Sequence, residues 1–116
     1  MISAVFTADS SGSERHWLGF CIEGHADLER AGRDIVCAAV SALSQAAIIG
    51  ITQVVGSEVE WGRCRGSLNV KLDLATARRN EVRVLLETVY LSLEDVASQY
   101  PDRLSLRVLY SNERGR

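Results

Sequence analysis

The chain has 116 residues, of which 47% are hydrophobic and 24% are charged, with a formal net charge of −2 at pH 7. This composition is typical of one soluble domain, here residues 1–116, that buries a core without disulfides or a metal. A weakly acidic chain lacks the concentrated basic surface that nucleic-acid binding requires, so we predict no direct nucleic-acid partner. An odd number of cysteines, three, and the absence of a basic, apolar leader favour a reducing, cytoplasmic location.

The N-terminal segments predict a β-hairpin. Residues 2–7 are apolar with mild alternation and are followed by turn-forming residues, which indicates a first strand. Residues 16–23 alternate more clearly and predict a second strand, with its core face formed by Leu18, Phe20 and Ile22. Cys21 is predicted on the opposite face, and His16 is predicted to be exposed where the strand begins.

The next segment is predicted to be a loop that leads into a long helix. Residues 26–33 are mostly polar and form either a plain loop or a lid, in which Gly32 would act as a hinge. Asp34 precedes an uninterrupted helical pattern, so we interpret it as the N-cap. The helix is predicted over residues 35–55, and Gly56 is a suitable C-terminal stop.

This helix has a polar stripe and an apolar side. At 100° per residue, uncharged or capping residues share a stripe of about 100°, which contains Asp34, Cys37, Ser41, Ser44, Gln45 and Thr52. Cys37 is therefore predicted to face away from the core. The opposite, apolar side is predicted to contain Val36, Ala39, Val40, Leu43, Ala47, Ile51 and Val54. Residues 35–57 carry no charge and could span a bilayer by length alone, but the stripe and the lack of flanking Lys or Arg favour a half-buried helix, so we predict no membrane partner.

The remaining chain predicts a hairpin, a second helix and a last strand. Residues 59–64 and 67–73 flank a turn at Arg65 and Gly66, and Trp61 is predicted to pack on the covered side. Apolar side chains recur every three or four positions from about residue 80 to Tyr100, which predicts a core helix, and residues 104–108 alternate as a fifth strand. The order β-β-α-β-β-α-β predicts an α+β two-layer sandwich, with a five-stranded, mainly antiparallel or mixed sheet and two long helices on one face.

Cys37 and His25 are the candidate reactive pair. A thiolate in the first turn of a helix is favoured by unpaired N–H groups and by the positive end of the helix dipole. His25 lies twelve positions earlier, and the intervening loop is long enough to fold back and bring the imidazole to the sulfur. The alternative is an inert cysteine, since helical cysteines are commonly buried as small apolar residues.

The motif around these residues resembles a known family. Gly24-His25-Ala26, a loop that ends Gly32-x-Asp34, and then I-V-C-A-A-V-S-A-L resemble the signature of the ribosomal-processing cysteine proteases, the Prp family. The resemblance implies a homodimeric endopeptidase that removes the N-terminal extension of a bacterial large-subunit ribosomal protein, cutting after an aromatic residue and before a small one. It also implies that Cys37 is the nucleophile and His25 the general base and acid, with Gly24, Asp34 and Ser41 at supporting motif positions.

Two alternatives from other functional classes stay open at this point. The first is a non-catalytic module, associated with ribosome assembly, that binds an extended peptide at a sheet edge or under the loop. The second is a metal site formed by Cys21, His25 and Cys37, although their spacing fits no compact zinc pattern. We predict thiol-based peptide hydrolysis with no cofactor and no metal. Asp34 either orients His25 or only caps the helix, and the second role is favoured because a carboxylate disfavours a nearby thiolate.

Overall fold

The computed structural model describes residues 1–9, 12–24 and 35–111. Its strands are β1 (Ile2–Asp9), β2 (His16–Glu23), β3 (Glu60–Cys64), β4 (Ser67–Lys71) and β5 (Leu104–Ser111). Its helices are α1 (Ile35–Ile49), which continues as a π-helical segment over Gly50–Val55, α2 (Leu74–Ala77) and α3 (Asn80–Gln99).

The five strands form one mixed sheet in the order β3-β4-β2-β1-β5. β1 and β5 are parallel, and the other neighbouring pairs are antiparallel. The helices pack on one face of this sheet, which confirms the predicted α+β sandwich. The short helix α2 was not predicted; it is capped by Asp73, whose carboxylate accepts a 2.8 Å hydrogen bond from the backbone N–H of Thr76.

The core lies between the helices and alternate residues of the sheet. Phe6 of β1 is completely buried and stacks on Phe20 of β2 with ring centroids 4.9 Å apart. The rings of Trp17 and Tyr90 meet Phe6 edge-on. Trp17 reaches this cluster because the β1–β2 register shifts between Thr7 and Ala8. The predicted alternation is therefore wrong before the shift: Trp17 is buried in the core, while Leu18, predicted on the core face, is only half-buried.

The first long helix matches its predicted bounds but changes its winding near the C-terminal end. A Cβ on Gly50 would come within 2.6 Å of the Leu85 side chain, so the glycine permits the close approach of α1 to α3. The helix is π-helical from this residue onward, and its wider turn rotates the residues that follow. Val54, predicted on the apolar side, is consequently 79% exposed. Gly56 ends the segment in the left-handed conformation, as predicted.

Residues 35–55 form the only described helix that is long and apolar enough to span a membrane by length and composition. One side of this helix is buried against the sheet and α3, through Val36, Val40, Ala47, Ile48 and Ile51. These five apolar residues are therefore part of the protein core, whereas Ile35, Ile49 and Val54 of the same helix are exposed, as expected of a half-buried helix.

Two further side chains differ from their predicted exposure. Trp61 is paired with the buried Val70 and therefore lies on the helix-facing side of the sheet. It is nevertheless 48% exposed, because β3 is an edge strand in which every residue is exposed. The prediction that Trp61 is covered is wrong. His16 was predicted to be exposed, but only 15% of its side chain is accessible. Both errors arise at the ends and edges of elements, where neighbouring segments decide the exposure of a side chain.

Arg15 and Glu87 close the core at the end of the sheet where β2 begins. Arg15 Nη2 donates a 2.6 Å hydrogen bond to Glu87 Oε2, and Trp17 Nε1 donates a 2.8 Å bond to Glu87 Oε1. The Arg15 guanidinium also lies 4.6 Å from the ring centroid of Trp17. The hydrogen bond from Arg15 is the main cause that lowers the pKa of Glu87 from its ordinary value of 4.5. A charged network of this kind ties β2 to α3.

The lowered pKa makes the stability of the fold dependent on pH in a defined direction. The contribution of Glu87 is fully present above about pH 4.5 and is lost as the pH falls through the lower value of the folded state. Glu87→Gln should therefore reduce the difference in Tm between about pH 7 and about pH 3 relative to the wild type. Thermal unfolding at a series of pH values measures this, with Glu94→Gln on the same helix as the matched loss of a carboxylate. Parallel profiles for the wild type and Glu87→Gln would contradict the assignment.

Candidate active site

Cys37 lies in the first turn of α1, as predicted. It is the third residue of the helix, which begins at Ile35. The first four N–H groups of an α-helix have no acceptor within the helix, so the sulfur lies close to donors that can stabilise negative charge. Of the two residues next to Cys37 in the helix, Val36 is buried and Ala38 is exposed. Cys37 is therefore held at the boundary between the core and the surface.

The thiol does not face away from the core, which corrects the prediction from the helical stripe. Cys37 is half-buried and packs against the edge of the core. Ser44, in the same stripe, is 3% exposed, and its hydroxyl donates a 2.8 Å hydrogen bond to the carbonyl of Val40. Four residues of the stripe, Cys37, Ser41, Ser44 and Gln45, line a cavity, and among them Ser41 is also exposed to solvent.

This cavity has a volume of about 410 Å³ and lies between α1, the sheet and the β3–β4 hairpin. The helix contributes Cys37, Val40, Ser41, Ser44 and Gln45. The sheet contributes the apolar Ile2, Ile22 and Leu68, and the hairpin contributes residues 63–67. The cysteine thus opens into a space of the size and mixed polarity that a few side chains of a peptide would fill.

Gly24 connects the end of β2 to the hairpin beside this cavity. Its N–H donates a 3.0 Å hydrogen bond to the carbonyl of Gly66, and its φ is 77°, a conformation that favours glycine. A Cβ at this position would also lie 2.8 Å from the carbonyl oxygen of Met1. The supporting role predicted for Gly24 therefore has a physical basis, because any larger residue would strain the backbone that leads into residue 25.

Three predicted site residues lie outside the described residues: His25, Asp34 and Gly32. Their predicted roles as base, cap and hinge stay predictions, as does the loop or lid over residues 26–33. Ser41 is described, and it lines the same cavity as Cys37 from one helical turn further along.

The position of Cys21 argues against a metal site formed by Cys21, His25 and Cys37. Cys21 is paired with Val5 and Asn69 on the face of the sheet that the helices leave open, whereas Cys37 lies on the helix side. Burial, the charge of Glu23 and a hydrogen bond to it raise the pKa of the Cys21 thiol, which keeps that thiol protonated at neutral pH. No cluster of three His, Cys, Asp or Glu residues suited to a metal occurs among the described residues.

Sequence reasoning missed the contribution of the hairpin to the cavity. Arg63 and Arg65 line it beside Gly66, although residues 63–66 were assigned only to a strand end and a turn. Two arginines flanking a turn are a weak signal, because nothing in the local pattern shows that the hairpin returns to the start of α1. The contact depends on β4 pairing with β2.

A comparison with known proteins bears directly on this cavity and its cysteine. The family model of the cysteine protease Prp matches residues 1–105. The chain belongs to this family. A ribosomal processing cysteine protease Prp of Staphylococcus aureus (strain Mu50) is 30% identical over 109 residues, which cover 91% of this chain and 97% of the relative. The Prp of Bacillus subtilis (strain 168) is 30% identical over 91 residues, covering 75% and 81%.

The fold is shared as well. A crystal structure of an essential ribosomal processing protease Prp from S. aureus, in complex with a covalently linked product peptide, superposes with a TM-score of 0.80. The identity is 23%, and the alignment covers 93% of this chain and 99% of the other. The Prp family predicted from the motif is thus confirmed, and the protein is a cysteine protease. Two motif residues of the present chain, Cys37 and Ser41, line the cavity described above. A third, Gly24, is hydrogen-bonded to Gly66, which also lines it.

Proposed function

We propose that the protein is an endopeptidase that removes the N-terminal extension of a bacterial large-subunit ribosomal protein, with Cys37 as nucleophile and His25 as general base and acid. The observation that carries this proposal is the placement of a half-buried cysteine in the first turn of α1 at the wall of a peptide-sized cavity. Membership in the Prp family supports the substrate, since the relatives are named for ribosomal processing.

The proposed chemistry requires the imidazole of His25 to exchange a proton with the thiol of Cys37. His25 takes the proton of Cys37, and the sulfur attacks the carbonyl carbon of the scissile peptide bond. The C–N bond then breaks, His25 returns the proton to the leaving amine, and a thioester remains on the sulfur. Water gives a proton to His25 and adds to the thioester, which releases the peptide carboxylate and restores Cys37. N–H groups at the start of α1 are suited to stabilise the oxyanion of both steps.

Gly24 supports the proposed role of His25. Because His25 follows Gly24 directly in the chain, the hydrogen bond from Gly24 to Gly66 sets where the segment carrying the imidazole begins. That starting point lies at the hairpin that lines the cavity of Cys37. A cytoplasmic location and a homodimer complete the proposal. No feature of the described residues favours a second function.

Peptide cleavage followed by mass spectrometry tests the proposal. The purified protein is mixed, under reducing conditions, with a peptide that copies the extended N-terminus of the ribosomal protein and has an aromatic residue before the expected bond. We expect two products whose masses add to the substrate plus one water. His25→Ala should bind the peptide but cleave it at least about a hundredfold more slowly. A peptide that stays intact with the wild type would refute the proposed activity.

A further inference from the structure

Gln45 lines the cavity of Cys37, and its side-chain amide has no hydrogen-bond partner among residues 1–9, 12–24 and 35–111. Gln45 lies on α1, about two helical turns after Cys37, and is half-buried. Its amide atoms keep some accessible surface, because His16 Nδ1 is the one fully buried side-chain nitrogen or oxygen in the described part of the chain that lacks a partner. The amide of Gln45 is therefore free to bind a molecule that enters the cavity.

Two serines of α1 line the same cavity, and they differ from Gln45 in their surroundings. The hydroxyl of Ser44 donates a 2.8 Å hydrogen bond to the carbonyl of Val40 and is thereby satisfied. Ser41 is exposed, so solvent reaches its hydroxyl in the free protein. Gln45 combines partial burial with an unpaired amide, which costs free energy unless water or a ligand makes the missing hydrogen bonds. A ligand that replaces this water should offer both a donor and an acceptor.

The spacing between Cys37 and Gln45 fits an extended peptide that lies along α1. Both residues belong to the regular α-helical part, Ile35–Ile49. At 1.5 Å and 100° per residue, Gln45 lies about 12 Å further along the helix axis and only about 80° around it. Since an extended peptide advances about 3.3 Å per residue, a substrate whose scissile carbonyl meets the sulfur would bring a residue about three or four positions away beside Gln45.

A primary amide is suited to bind the main chain of such a peptide. Its NH₂ group donates and its carbonyl accepts, which matches the C=O and N–H of a peptide group whatever side chain is attached. The buried Ile22, Val40 and Leu68 line the same cavity, and an apolar surrounding strengthens a hydrogen bond made there. We propose that Gln45 binds a main-chain peptide group of the substrate about three or four residues from the scissile bond and thereby positions that bond at Cys37. This proposal rests on the proposed function of Cys37 as the nucleophile.

Peptide binding to an inactive variant tests this without depending on turnover. The Cys37→Ser protein is titrated with the substrate peptide and with analogues in which an ester oxygen replaces one main-chain N–H, at each position from two to five residues on either side of the scissile bond. Gln45→Met in the same background keeps the length of the side chain and removes the amide. It should bind the unmodified peptide about five- to tenfold more weakly. One ester, about three or four residues from the scissile bond, should weaken binding by a similar factor, and by less than about twofold once Gln45→Met is present.

Gln53→Met is the matched control, because Gln53 lies on the same long helix, is exposed and does not line the cavity. In the Cys37→Ser background it should leave the affinity and every ester effect unchanged. In proteins that retain Cys37, Gln45→Met should lower kcat/KM by the factor by which the affinity falls, with kcat within about threefold of the wild type. This division between KM and kcat is expected of a residue that binds the peptide away from the reacting atoms.

Several results would overturn the proposal: a change of less than about twofold in affinity for Gln45→Met, ester effects that are the same with and without the amide, or no binding of any peptide. A loss that disappears when the nearby substrate side chain is changed to Ala would also overturn it, because the amide would then bind that side chain. Cleavage of the unmodified peptide by the wild-type protein reports on the proposed function alone. If cleavage occurs and Gln45→Met alters neither affinity nor kcat/KM, the proposed function is retained and this inference is lost. Circular dichroism of each variant confirms that a weaker affinity does not reflect unfolding.

Discussion

Replacing Cys37 with serine is expected to reduce peptide cleavage by about 10⁴-fold or more while the protein still binds its peptide. A serine hydroxyl is much less ionised than a thiol near neutral pH and is not activated to the same extent by an imidazole. Since Cys37 is half-buried at the edge of the core, the nearly isosteric change should leave the fold intact. The measurement is the rate of product formation by mass spectrometry, with peptide affinity determined in parallel.

The matched control for this prediction is Cys21→Ser. Cys21 is also half-buried, but it lies on the face of the sheet away from the helices, and the pKa of its thiol is raised. Its replacement should leave cleavage within about twofold of the wild type. If Cys37→Ser cleaves at the wild-type rate, the nucleophile is another residue. If the wild-type protein binds the peptide tightly but does not cleave it, the non-catalytic binding module becomes the better explanation.

Replacing Phe6 with alanine is expected to remove about 3–5 kcal/mol from the free energy of unfolding. Phe6 is completely buried and contacts the rings of Phe20, Trp17 and Tyr90, so its loss leaves a cavity that rigid aromatic neighbours cannot fill. Because domains of this size are stabilised by roughly 5–15 kcal/mol in total, the variant should unfold at a much lower denaturant concentration.

Urea unfolding followed by tryptophan fluorescence measures this effect, because Trp17 lies in the same cluster. Leu109→Ala on β5 is the matched control: Leu109 is 50% exposed, and its truncation should change the free energy by no more than about 0.5 kcal/mol. A change of less than about 1 kcal/mol for Phe6→Ala would mean that the aromatic cluster is not the centre of the core.

The helix that carries Cys37 shows which features follow from the local sequence and which depend on tertiary packing. The end of the helix at Gly56 was predicted to the residue, because a glycine in the left-handed conformation is a local feature, and the helical pattern predicted from residue 35 onward is helical in the described residues. The π-helical winding from Gly50 onward was not predicted, since it accompanies the close contact with Leu85 of α3. The prediction for Val54 was wrong for this reason.

The candidate site likewise has parts that the sequence predicted and parts that only the tertiary structure shows. The motif from Gly24 to Leu43 led to the family and to Cys37, because the residues of a first helical turn and of a tight turn are local in sequence. The cavity was not predictable from that motif, since Arg63 joins it through the pairing of β3 with β4 and of β4 with β2. Similarly, the shift of register between β1 and β2 reverses which of Trp17 and Leu18 enters the core.

By itself, the sequence determined the order of the long elements, the α+β class, the membership in the Prp family and the position of Cys37 in the opening turn of α1. These depend on periodicity and on interactions within a few residues of one another. Only the tertiary structure decided that the polar stripe of α1 borders a cavity, that Trp61 is uncovered and that two arginines line the same cavity as Cys37. Such features arise from strand pairing and helix packing between residues far apart in the chain, whose relative placement no local pattern encodes.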